Sequence, residues 1–176
     1  MMADTLELVR PGREHKEQLD AYKAETLAME PEIHGDGGWD SCNTLEEWLA
    51  ALAAREREAT CPEGFVPSST FLCICKADKR LIGFVDIRHR LNDYLLGFGG
   101  HIGYSIRPDE RGKGYAGQQL MLALQKCGEM GLSRVLLTCD ESNIRSGRII
   151  RSCGGKLEDT RTSPDGKPMQ RWWITV

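Results

Sequence analysis

Ile106-Arg107-Pro108-Asp109-Glu110-Arg111-Gly112-Lys113-Gly114-Tyr115-Ala116 joins the end of a strand to the start of an amphipathic helix through a glycine-rich turn. Gly112 and Gly114 can take backbone angles that a β-carbon penalises, and they let an anion approach the main chain closely. The amides of the first helical turn have no partner within the helix, and the helix dipole adds to their positive potential. Arg111 and Lys113 add formal charge at the same mouth. The stretch therefore reads as a candidate anion cradle. A glycine turn before a helix can also be only a turn, so the flanking elements have to decide.

Outward from this stretch the chain alternates in a readable order. Leu6 to Arg10 reads as a first strand and Arg13 to Met29 as a helix. A second helix starts at a capped Asn43 or Thr44, with Glu46 and Glu47 in its first turn, and runs to about Arg57. Thr70–Lys76 and Arg80–Arg90 flank a hairpin turn at Ala77-Asp78-Lys79. Strand 99–107 is followed by helix 114–130, whose apolar residues recur at helical spacing and which Gly131 stops. Strand 134–139, helix 143–153 and strands 156–162 and 169–176 complete the order. The strand–helix–strand crossover between 99 and 139 predicts a neighbouring parallel pair.

Bulk properties narrow the function classes. With 176 residues the chain suits one domain, 1–176, with a sizeable core. A formal charge of -3, with 28% charged residues and no basic stripe, gives no attraction to nucleic acid. No apolar run reaches the roughly 20 residues that span a bilayer, so no membrane partner is expected. The seven cysteines are an odd number and scattered, which reads as reduced, mostly buried thiols in a cytoplasmic protein. Cys73 and Cys75 alternate with Leu72 and Ile74, so both should lie on one strand face. Neither a His-Glu-x-x-His nor a paired-cysteine motif is present, so no metal is expected.

Arg111-x-x-Gly114-x-Ala116, in this element order, resembles the Arg/Gln-x-x-Gly-x-Gly/Ala signature of the GNAT superfamily of N-acetyltransferases. The resemblance covers nearly the whole chain and is strongest over 71–155. It implies an α+β GNAT fold, with a mixed, mostly antiparallel sheet of about seven strands, about four helices and a splayed parallel pair at the cofactor site. It also implies acetyl-CoA as cosubstrate and transfer of its acetyl group to a primary amine of a small molecule or peptide. A non-catalytic acyl-CoA sensor is the alternative. A homodimer is common in the family, although nothing in the sequence requires one.

Residue by residue, the resemblance implies that backbone around Ser105, Ile106 and Arg107 holds pantetheine, much as an added strand would. Arg111, Gly112, Lys113, Gly114, Tyr115 and Ala116 would hold the pyrophosphate. Asn143 would bond the pantetheine arm or simply cap its helix, with Ser146 one turn on. Family members often carry a general-acid tyrosine seven residues after that asparagine; this chain has Ile150, which donates no proton. His101 is the candidate general base, since an ordinary pKa of about 6.5 suits the task, or it is bonded within the sheet. The acceptor wall would come from His34-Gly-Asp-Gly-Gly-Trp39 and Asn92–Gly100, with Trp39 either a mobile wall or a core residue. None of the cysteines lies in a nucleophile signature, which leaves direct attack without a covalent enzyme intermediate.

Overall fold

A computed structural model describes residues 4–176. Along the chain run β1 (Leu6–Val9), α1 (Lys16–Leu27), α2 (Leu45–Arg55), β2 (Ser68–Cys75), β3 (Leu81–Arg88) and β4 (Ile102–Ile106), then α3 (Tyr115–Glu129), β5 (Arg134–Asp140), α4 (Ile144–Ser152), β6 (Lys156–Thr162) and β7 (Pro168–Thr175). The seven strands divide into an antiparallel sheet ordered β1-β2-β3-β4 and a second ordered β5-β7-β6. The α+β architecture expected from the sequence is present, with the strands split into two sheets at the point where the site lies.

Local chemistry sets the element ends. Thr44 caps α2 by accepting the Glu47 N–H at 3.1 Å, and Glu47 returns the bond to the Asn43 N–H at 3.2 Å. Lys79, with φ 60°, turns the β2–β3 hairpin. Alternation along β2 sends Leu72 and Ile74 to the core under α1 and α2, and Cys73 and Cys75 to the opposite face. All seven cysteines are free.

Buried clusters cover both faces of the first sheet. Tyr22, Trp39, Trp48 and Phe84 fill the one under α1 and α2, while Ile102, Leu120, Leu137, Ile150 and Trp172 belong to the one that joins α3 and α4 to the strands. Gln119 is fully buried in α3 and donates to the Phe84 and Ser105 carbonyls at 2.9 and 3.2 Å, pinning that helix to β3 and β4. Gly83 makes room for it, because a β-carbon there would stand 2.3 Å from Gln119 Oε1.

Candidate active site

The site begins at Gly100. Its φ of 68° and ψ of -174° belong to a region essentially reserved for glycine. This turn aims His101 at β5: its N–H donates to the Leu136 carbonyl at 2.7 Å, and its Nδ1 accepts the Leu136 N–H at 2.9 Å. Beyond that clasp no ladder joins β4 to β5 among the described residues, and the two sheets splay apart.

Strand alternation identifies the backbone that lines the gap. The Arg107 N–H donates to Ile82 and the His101 carbonyl accepts from Arg88, so the odd-numbered residues of β4 pair with β3. The backbone of Ile102, Tyr104 and Ile106 is left facing the gap. Of the three residues expected to line the gap, Ile106 turns its free backbone toward it together with Tyr104, whereas Ser105 and Arg107 pair with β3. The Ser105 hydroxyl shares a 2.9 Å bond with Tyr22 Oη.

At the mouth of the gap, Gly112 and Gly114 have φ of 78° and 83°, and a β-carbon on either would meet nothing within 4 Å. No side chain caps α3. Open space therefore faces the orphan amides of a fifteen-residue helix. The cations differ from expectation, since each is already paired. Arg111 pairs with Glu30 and donates Nε to the Ile106 carbonyl at 2.9 Å. Lys113 meets the buried Glu110 at 2.8 Å, and Arg107 forks onto Glu25 at 2.7 and 2.5 Å. Glu25 is held below the usual carboxylate range by that bond. Tyr115 donates its hydroxyl to Asp4 at 2.6 Å, and Ala116 packs beside its ring in the core.

Across the gap, Asn143 caps α4 by accepting the Ser146 N–H at 3.1 Å, leaving its side-chain NH₂ available. The Ser146 hydroxyl lies 3.2 Å from Tyr104 Oη. Ile150, one turn further along α4, is fully buried.

A family model described as "Acetyltransferase (GNAT) domain" matches residues 6–156. The chain belongs to the GNAT acetyltransferase family. No curated protein matches it in sequence. Among solved structures it resembles RimL, a ribosomal L7/L12 α-N-protein acetyltransferase in complex with coenzyme A, at TM-score 0.70 and 16% identity, covering 98% of this chain and 94% of that one. An acetyltransferase from Salmonella typhimurium that modifies the N-terminal serine of L7/L12 superposes with TM-score 0.67 at 16% identity, over 98% and 95% of the chains. Mutant forms of the spermidine/spermine N-acetyltransferase SpeG from Vibrio cholerae give 0.65 at 19% identity over 97% and 95%.

In this GNAT chain the glycine tract also spells Gly112-x-Gly114-x-x-Gly117, a spacing shared with the dinucleotide-binding fingerprint. That fingerprint needs an open parallel sheet with the turn at a strand end. Here β4 is antiparallel to β3, and its other edge faces the splay.

The segment expected to form the acceptor wall packs against the opposite face of β4. Gly35 (φ 75°) sits so close that a β-carbon would meet the Gly103 carbonyl oxygen at 2.4 Å. Asp36 follows, buried, with its carboxylate accepting the Gly38 N–H at 2.9 Å and the Asp40 N–H at 2.7 Å. Burial pushes its pKa up to about 6. Trp39 is a core residue: its Nε1 donates to the Leu19 carbonyl and its ring tilts against Trp48. Of the two readings of Trp39, the structure gives the core one. Within Asn92–Gly100, residues 95–99 form a π-turn, which buried Arg171 holds through the Leu96 carbonyl at 2.9 Å. Among the described residues no His, Cys, Asp and Glu cluster is arranged to hold a metal, and no helix is long and apolar enough to cross a membrane.

His101 is buried, with one ring nitrogen engaged. Its Nδ1 lone pair is taken by Leu136, and burial, then the Arg88 charge, pushes its pKa down to about 4. Between pH 6.5 and 4 the unfolded chain binds a proton that folded His101 refuses, so acid removes about 3 kcal/mol of stability across that window. Asp36 works in the opposite direction, because its folded pKa lies above the unfolded value and acid is taken up by the folded state first. The clean observable is a difference. His101→Asn should lose less stability than the wild-type chain between pH 7 and pH 5, as read from urea midpoints. Equal losses would show that His101 is not held neutral.

Proposed function

We propose that the chain is an acetyl-CoA-dependent N-acetyltransferase acting, as one unit over residues 1–176, on a primary amine of a small molecule or peptide. The observation that carries this reading is the gap between β4 and β5, closed at one end by the His101–Leu136 clasp and met at the other by the uncapped N-terminus of α3. Amides of Gly112 to Ala116 would hold the pyrophosphate. Backbone of Tyr104 and Ile106 would hold pantetheine, with Asn143 bonding the arm through its free NH₂. When bound, acetyl-CoA supplies an activated acyl thioester.

The remaining groups position and deprotonate. Gly35 and Asp36 bring the acceptor wall onto Gly103, so the amine would reach the gap from the α1–α2 side. We assign His101 to holding the apex of the splay rather than to proton abstraction. On the acceptor wall, Asp36 ionises close to neutrality. The rate should therefore show an acid limb near pH 6 that Asp36→Asn removes and His101→Asn keeps. If that limb disappears in His101→Asn alone, the two roles are reversed. Burial pushes the Cys73 and Cys127 thiols up to about 12, which makes these two unsuited to covalent catalysis.

Both substrate classes named for the structural relatives are amines, a polyamine and a protein N-terminus. Calorimetric titration with acetyl-CoA and coenzyme A, followed by thiol release across polyamines, amino acids, aminoglycosides and peptides, tests the reading. Binding with turnover on one class supports it, and absence of binding overturns it. Binding without turnover favours an acyl-CoA sensor, a reading supported by the apolar Ile150 and by the paired cations at the mouth.

A further inference from the structure

Departure of a thioester's sulfur leaves a thiolate, and a hydroxyl held at that end of the gap would ease the step by donating a proton. The α3–α4 side of the gap carries such a group. Gly103 and Tyr104 are successive residues of β4, so their substituents leave opposite faces of the strand. Gly35 packs on the Gly103 side, whereas Tyr104 crosses to the first turn of α4 and meets Ser146 at 3.2 Å. The Tyr104 ring packs against the core that contains Ile102 and Ile150, while its hydroxyl ends beside Ser146. The hydroxyl pair thus bridges the strand that precedes the gap and the helix that follows it.

We infer that Tyr104 is the proton donor to the departing thiolate, with Ser146 positioning its hydroxyl. This rests on the acetyl-transfer reading above. Either oxygen of the pair can donate. When Ser146 donates to Tyr104, the phenolic O–H is free to turn into the gap, and the chain of two hydroxyls strengthens it as a donor. As the amine nitrogen bonds to the acyl carbon, the carbon–sulfur bond breaks and its electron pair stays on sulfur. Tyr104 passes its proton to that sulfur and is reprotonated through Ser146 from solvent. The amine's surplus proton leaves on the opposite, acceptor side. Burial raises the Tyr104 pKa, so the hydroxyl carries its proton at neutral pH.

The test reads the bound product as well as turnover. Ultraviolet absorbance of the thiolate, titrated against pH, gives the pKa of coenzyme A bound to wild type, Tyr104→Phe and Ser146→Ala. Phenylalanine keeps the ring's packing, and Ser146→Ala tests the same pair without altering the strand. A donor at sulfur stabilises the thiolate, so removing the Tyr104 hydroxyl should raise the bound thiol's pKa by about one unit, a tenfold change in ionisation. Ser146→Ala should give a smaller shift in the same direction. Turnover in Tyr104→Phe should fall about 100-fold while acetyl-CoA binding is kept. Equal thiol pKa values in wild type and Tyr104→Phe, with coenzyme A bound to both, would overturn the donor role and leave the transferase reading standing. A wild-type chain that binds no coenzyme A would overturn both.

Discussion

Gly114→Val should abolish measurable coenzyme A binding while leaving a folded protein. Gly114 has φ 83° and ψ 5° and is the N-cap of α3, where no side chain serves as a cap. The space in front of it is open, with nothing within 4 Å of a β-carbon. Valine would fill the space in which an anion must approach the amides, and it would resist the left-handed angles that aim them. Hydrogen bonds to a charged group contribute about 1.5–3 kcal/mol each, so losing two weakens binding by about 100-fold or more. The folded state loses less, because a left-handed residue costs about 1–2 kcal/mol at one position and the site is uncrowded. Calorimetry and a thermal melt on the same sample separate the effects. Wild-type affinity for coenzyme A in a folded Gly114→Val protein would remove the pyrophosphate assignment.

Gly100→Ala tests the other end of the gap, and there stability should fall together with binding. A β-carbon at this position would stand 2.6 Å from the Leu136 carbonyl oxygen and 3.3 Å from Leu137 Cα. That carbonyl cannot retreat without losing the His101 N–H it accepts at 2.7 Å. The residue also occupies a glycine-only backbone region, so strain adds to overpacking, and the combined cost is about 3 kcal/mol or more. Denaturant midpoints should shift accordingly, and acetyl-CoA affinity should drop because the clasp sets where β4 and β5 part. A variant with wild-type midpoint and affinity would show that the clasp does not hold the gap.

These two glycines differ in how far the sequence reveals them. Gly114 lies in a tract whose spacing before a helical apolar pattern marks it as an anion cradle. Gly100 reads from the sequence as part of strand 99–107, whereas β4 starts at Ile102, and its importance comes from a carbonyl 36 positions away in the chain. The same division runs through the other site residues. Asn143 at a helix start and the element order around it are local signals, carried by capping preference and by periodicity. Whether Asn143 caps or binds, and the fact that it caps with one end of its amide and frees the other, depends on the folded helix end.

Sequence alone established the α+β element order, the helix that follows the glycine turn, the alternation of Cys73 and Cys75 and the absence of a proton donor at position 150. Each of these rests on short-range periodicity, backbone sterics or side-chain identity. Tertiary structure decided the rest. Alternation relative to β3, which needs the register of a distant strand, faced the backbone of Tyr104 rather than that of Ser105 and Arg107 to the gap. Long-range pairing neutralised Arg111 with Glu30, 81 positions away, and the fold buried Glu110, the carboxylate that meets Lys113 three residues on. Desolvation and the Leu136 amide leave His101 neutral near pH 7 with its Nδ1 lone pair engaged, surroundings that its place on a strand does not reveal. Charge and lone-pair availability depend on what surrounds a side chain in space, and the linear order of residues does not contain that information.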